Sequence, residues 1–136
     1  MSKKITAELV ALADYAMNAE DKKLSIIGIF DKLFVRTLPS HHPRMVFVTT
    51  LVSEPQTSAN LVMRILTPSQ QEDFKADVTV SFGENGKANL VSNFEGFPIK
   101  EIGEYRFLFE QNGKEIVGHT LTVIQLKEQD GKRVAN

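Results

Sequence analysis

The sequence contains no cysteine. That absence removes disulfides, zinc fingers, iron–sulfur clusters and thiol nucleophiles together. It also fits a reducing compartment, and the expectation is a cytoplasmic protein. Long apolar runs are missing too. No stretch approaches the ~20 consecutive apolar residues that a membrane helix needs. The first residues, Met1-Ser2-Lys3-Lys4, begin as a signal peptide would, but Glu8 and Asp14 interrupt the segment that should be its apolar core. That interruption argues against secretion. Nor is there an excess of one charge: 16 basic and 17 acidic residues leave a formal net charge of −1. Nothing here supplies the positive field on which nucleic-acid or anionic-membrane binding rests, so neither partner is expected.

Motifs of catalysis are absent as well. The chain has no GxSxG, no HExxH, no Walker loop and no dinucleotide fingerprint behind a βα unit. The aromatic residues fall mostly on inward faces rather than interleaving with basic ones. An open stacking surface for RNA is therefore not indicated. These absences predict no cofactor and no catalytic residues.

The chain does have strand periodicity. At 136 residues it is one domain by size. Such a chain buries roughly two thirds of its unfolded surface and needs no disulfide or metal to hold it. The expected division is a flexible start over residues 1–4, one β-sandwich domain over 5–126 and a polar, frayed tail over 127–136. Eight strands and little helix are predicted. Ile5 to Leu12 opens the series, although the alanines, Leu12, Tyr15 and Met17 between Leu9 and Ala19 suit one or two helical turns equally well.

Leu24 to Val35 is apolar on both faces, with Leu24, Ile26, Gly28 and Phe30 opposing Ile27, Ile29 and Leu33. Met45 to Val52 has the same character, with Phe47, Thr49 and Leu51 opposing Val46, Val48 and Val52. A strand of that kind is normally central and covered twice. Asn60 to Leu66 comes after a turn signal. Phe74, Ala76, Val78, Val80 and Phe82 then alternate with polar residues, as in a half-buried antiparallel strand. Gly83 to Lys87 turns the chain, and Ala88 to Phe94 returns it.

The last hairpin is the clearest local feature. Tyr105, Phe107 and Phe109 share a face, Asn112-Gly113 makes the turn, and Ile116 to Leu126 comes back. Asn-Gly suits the tightest hairpin turns because both central positions want positive φ. In Gly103-Glu104-Tyr105-Arg106-Phe107, a tyrosine opens an alternating run two residues after a glycine. This is how the penultimate strand of many immunoglobulin-like sandwiches begins. The ring packs on the sandwich end while the hydroxyl bonds upstream backbone, here Lys100 to Ile102. The predicted fold is therefore an all-β antiparallel sandwich of seven or eight strands, immunoglobulin-like.

Several blocks carry a further likeness. Asp14-Tyr15-Ala16, then Leu24-Ser25-Ile26-Ile27-Gly28-Ile29-Phe30-Asp31, then Pro39-Ser40-His41-His42-Pro43 and finally Gly103 to Phe107 resemble a bacterial family of small single-domain proteins of unknown function. The likeness spans most of residues 7 to 124. It implies one domain and a β fold. It brings no activity, cofactor or catalytic residue to these positions.

Candidate sites are few. His41, His42 and His119 are the three histidines, and a metal would need carboxylates converging on them, since adjacent histidines point apart. Pro43 holds His42 extended, so a polar loop entering a strand is the simpler account. His119 shares an apolar strand face with Val117, Leu121 and Val123, the setting of a core or rim histidine. Asp31-Lys32 interrupts the strongest apolar run. Either the pair sits at a pocket mouth with Arg36, or it marks a strand end or bulge, which is preferred. Asp14 is expected to cap a turn, and Tyr15 to pack its ring and keep its hydroxyl wet. Gln70 to Asp73 and Gly83 to Gly86 lack the ligand spacing of a calcium loop, so no metal is predicted.

These readings favour a non-enzymatic protein-interaction or self-assembly module, its partner another protein or a second copy of itself. Exposed edge strands are the physical motive. Contacts would involve His41, His42, Arg44, Asp31 and Lys32. The alternative is a small-molecule or carbohydrate binder using loops at one end, with His41, His42 and Arg44 as its polar handle. A third is a hydrolase or isomerase built on an unrecognised carboxylate–histidine site.

Overall fold

A computed structural model of the chain describes residues 4–21 and 23–127. Most of the expected flexible start and of the polar tail lie outside the described residues. In chain order the strands are β1 (Thr6–Asn18), β2 (Leu24–Phe30), β3 (Lys32–Val35), β4 (Ser40–Val52), β5 (Ser58–Leu66), β6 (Glu72–Ser81), β7 (Lys87–Ile99), β8 (Gly103–Gln111) and β9 (Lys114–Gln125). They form a four-stranded sheet in the order β2-β1-β4-β7 and a five-stranded sheet in the order β3-β9-β8-β5-β6. The fold is the expected immunoglobulin-like sandwich. In the usual lettering β9-β8-β5 is G-F-C and β4-β7 is B-E.

The segment Leu9 to Ala19 is strand, not helix, as far as Asn18. Apolar side chains occur throughout it because the strand is covered on both faces. Leu12 packs into the inter-sheet core, while Ala13 and Ala16 belong to a second apolar cluster with Val46 and Val48. That cluster lies on the outer face of the four-stranded sheet.

Its cover comes from the β1–β2 hairpin. In a flat sheet the hairpin end, where Asn18 lies opposite Leu24, would project past Ala13 and Val46. Instead Leu24 and Ile26 pack on the outer cluster, beside Leu9 and Val91. Asn18 and Leu24 also share a groove with Thr50 and Asn89, near the far end of β4. The hairpin therefore bends back across its own sheet. The bend falls at Gly28, whose φ is +74°, a region that favours glycine. A Cβ there would collide with the Asp14 carboxylate.

Two expectations about doubly apolar strands thus part company. Met45 to Val52 is central and covered twice, lying in β4 between β1 and β7. Leu24 to Val35 is not. It divides at Asp31 into β2 and β3, which belong to different sheets and are an edge in each. This division makes nine strands among the described residues instead of eight. β3 runs parallel to β9, while the other strand pairs are antiparallel. The Thr122 N–H donates to the Asp31 carbonyl (3.0 Å) where the chain joins its new sheet.

The core is centred on Phe47, 5.5 Å from the ring of Phe107 and 5.8 Å from that of Phe109. Burying each such ring contributes about 2–3 kcal/mol. Phe74 lies at the rim of this core, edge-on to Phe94 at 5.4 Å and 38% exposed, because β6 is an edge strand. Tyr105 is fully buried, and its hydroxyl accepts from the N–H groups of Lys100 (3.0 Å) and Glu101 (3.2 Å). The expected tyrosine corner is present. Asn112 and Gly113 both take positive φ, 53° and 80°, in the two-residue β8–β9 hairpin turn.

Candidate interaction surface

Three of the residues expected to make contacts, His41, His42 and Arg44, collect near the start of β4. His41 lies opposite Pro98, His42 opposite Phe97, and Arg44 opposite Glu95. His42 is half-buried, its ring 5.8 Å from that of Phe30. Burial holds its imidazole below the ordinary value, opposed by the Asp14 charge and by a hydrogen bond with the Arg44 backbone. The Arg44 guanidinium lies 5.7 Å above the Tyr15 ring, a cation–π contact at an exposed position. Asp14, Tyr15, Phe30, His42 and Arg44 thus brace the bend of the β1–β2 hairpin.

Asp31 and Lys32 sit where the chain changes sheets, both exposed, with Lys32 opposite Thr122. Asp31 forms no ion pair with Arg36 or Lys32 among the described residues. Its place at a strand end follows the structural reading. The site residues therefore divide into a brace (His42, Arg44) and a sheet-switch corner (Asp31, Lys32), with His41 exposed on β4.

His119 faces the core 6.4 Å from Phe47, and its Nε2 is buried without a hydrogen-bond partner among the described residues. Burial lowers its basicity, Asp31 raises it and Arg106 lowers it further. Among the described residues no group of three or more histidine and carboxylate side chains is placed to hold a metal ion. No helix among them is long and apolar enough to cross a membrane.

The structure exposes the outer side of β2, which the sequence led one to expect covered. Ile27 is 61% exposed and Ile29 66% exposed, on a strand with no neighbour beyond it among the described residues. Tyr15 and Met17 are also exposed on β1, with Tyr15 opposite Ile27 and Met17 opposite Ser25. Together they form an apolar stripe along a sheet edge. One signal was available. A glycine inside an apolar strand marks a bulge or a close approach, and Gly28 is a close approach, to the Asp14 carboxylate. Read that way, residues 24–30 are not a regular central strand.

A separate groove of about 790 Å³ lies at the opposite end of β4 from His41, lined by Asn18, Thr50, Ser81, Asn85, Lys87 and Asn89 among others. Its polar lining includes the Thr50 hydroxyl, which donates to Asn89 Oδ1 (2.7 Å).

No curated protein matches the sequence. Solved structures do match the fold. A β-glucosidase from Listeria innocua in complex with isofagomine aligns with 93% of this chain at 8% identity and a TM-score of 0.51. An alkylpurine DNA glycosylase from Pseudomonas fluorescens, bound to DNA containing an abasic site analog, aligns with 90% at 9% identity and a TM-score of 0.50. The chain spans only 16% and 31% of those two proteins, so the likeness concerns a part of each. An immunoglobulin-like protein from Pseudomonas aeruginosa aligns over 88% of this chain and 96% of its own, at 14% identity and a TM-score of 0.47. At these identities the likeness is one of fold. Residues 8–124 match the profile of the family of unknown function DUF6941, and the chain belongs to that family.

Proposed function

We propose that this chain is a non-enzymatic protein-interaction module that engages its partner through the β2 edge. The observation carrying this reading is the exposure of Ile27 and Ile29 on an edge strand. An open edge offers a row of backbone donors and acceptors to an added strand, and apolar side chains beside it supply affinity. Burying one such isoleucine is worth about 1.5–3 kcal/mol. The bend at Gly28 keeps Leu24 and Ile26 on the chain's own outer cluster, leaving Ile27 and Ile29 for a partner.

The absence of native cysteine makes the test clean. A photo-crosslinker attached at Ile29→Cys should give discrete protein adducts in a native lysate, and the same group at Lys75→Cys on β6 should not. Equal labelling at both positions, or none at either, defeats the reading.

A second reading rests on the polar groove around Thr50 and Asn89, whose amide and hydroxyl groups suit a small polyhydroxylated ligand. It moves the expected binding end away from His41, His42 and Arg44. A ligand taken there raises the melting temperature in a concentration-dependent way. Unchanged melting across a panel of sugars dismisses it.

A further inference from the structure

We propose that the partner at this edge is a second copy of the chain, with the two β2 strands pairing antiparallel about a two-fold axis at Ile27. The inference rests on the reading of β2 as a docking edge and adds the identity and register of the occupant.

The first observation is a difference among the four sheet edges. β6 carries Glu72, Asp73, Lys75 and Asp77, and β7 carries Lys87, Glu95 and Pro98. β3 is only four residues long and begins with Lys32. Charges, proline and shortness are the devices by which edges resist pairing. β2 runs seven residues with no charge and no proline.

The second observation is charge placement. β2 is bracketed by Lys23 on one side and Asp31 on the other, opposite signs at opposite ends. Antiparallel pairing centred on Ile27 sets Lys23 of each copy against Asp31 of the other, so both charges are matched twice. Moving the centre by one residue sets Ile27 opposite Ser25 or Ile29 of the other copy instead of opposite itself. It also takes Lys23 and Asp31 out of opposition. Both groups are available. Among the described residues the Lys23 ammonium makes only a loose contact with Asp21 (3.9 Å, side chains 85% and 59% exposed), whose carboxylate also accepts from the Lys23 backbone N–H (3.1 Å), and Asp31 has no ion pair. Lys32 does not disturb the match, because the chain leaves the edge at Asp31 and carries Lys32 into the other sheet, opposite Thr122.

The third observation is side-chain complementarity. In this register Ile27 meets its own copy and Ile29 meets the partner's Ser25, with Tyr15 flanking Ile27 on β1. The most exposed isoleucines of the protein lie next to the axis.

The test uses the full chain and light scattering across a hundredfold concentration range. A dimer is expected. Lys23→Asp alone and Asp31→Lys alone each replace two attractions with two repulsions and should weaken dimerisation by about tenfold. Mixing the two variants one to one pairs opposite charges again and should restore wild-type affinity to within about twofold. Ile27→Cys should form an intermolecular disulfide under mild oxidation, since it faces itself across the axis. Lys23 and Asp31 are exposed, so urea midpoints taken at concentrations where the chain is monomeric should be unchanged, and lost dimer is not lost fold. A monomer at every concentration overturns the proposal, as does a dimer indifferent to both reversals or not restored by mixing. If the chain is monomeric but a crosslinker at Ile29→Cys captures a different protein, self-pairing fails while the docking edge stands.

Discussion

Replacing Tyr105 with phenylalanine isolates one interaction that ties the β7–β8 corner to the core. The ring stays, with its edge contact to Phe97 at 5.6 Å and its full burial, so the apolar contribution hardly changes. The loss is one oxygen that accepts two backbone hydrogen bonds, from Lys100 at 3.0 Å and Glu101 at 3.2 Å. Each is worth about 1 kcal/mol, and a donor left dry costs roughly 1–3 kcal/mol. Lys100 is exposed and Glu101 partly so, and water can reach their N–H groups once the hydroxyl is gone. The expected loss is therefore about 1–2 kcal/mol rather than the sum of two full desolvation penalties. Urea denaturation should show a lower midpoint with an unchanged m value, because the surface exposed on unfolding is the same. In a chain of this size that corresponds to a fall in Tm of roughly 3–8 °C. A midpoint within error of wild type would show that the hydroxyl contributes nothing net, and the corner would be ring packing alone.

Other parts of the structure carry their own expected outcomes. Gly28→Ala places a side chain at φ +74° and against Asp14, so a loss of at least about 2 kcal/mol is expected. Adding Asp14→Ala should recover part of it, seen as non-additivity in urea melts, and strict additivity would refute the collision. His42 and His119 are both held below 6.5 by burial, so the unfolded chain takes up protons first as pH falls. Stability is then full above about 6.5, declines as pH drops through 6.5 towards the folded values, and levels off below them. The double variant His42→Asn, His119→Leu should flatten that decline, and an unaltered slope would assign it to other groups. At neutral pH His119→Leu alone should be neutral or mildly stabilising, because it removes a buried nitrogen with no partner. Arg64 bridges Glu72 (2.9 Å) and Glu110 (2.8 Å) across neighbouring strands. Arg64→Met should cost no more than about 1 kcal/mol and less at high salt, and a larger, salt-independent loss would point to packing by its stem.

The sequence by itself determined the features set by neighbouring residues. The period-two alternation of Phe74 to Phe82 places Val80 and Phe82 in the core, and Asn112-Gly113 forms the hairpin because its turn needs two positive φ values. Tyr105 finds its partners four and five residues upstream, within the reach of local reasoning. Only the tertiary structure decided the fate of Leu24 to Val35. Two apolar faces signal burial but do not say by what, and a strand covered twice reads the same as a bent hairpin with one face free. For β4 the cover came from its own chain, through Ala16, Leu24 and Ile26 on Val46 and Val48. For β2 the chain bends at Gly28 and leaves for the other sheet at Asp31, so Ile27 and Ile29 remain outside. Strand pairing joins residues far apart in sequence, and periodicity within one strand carries no information about its neighbours.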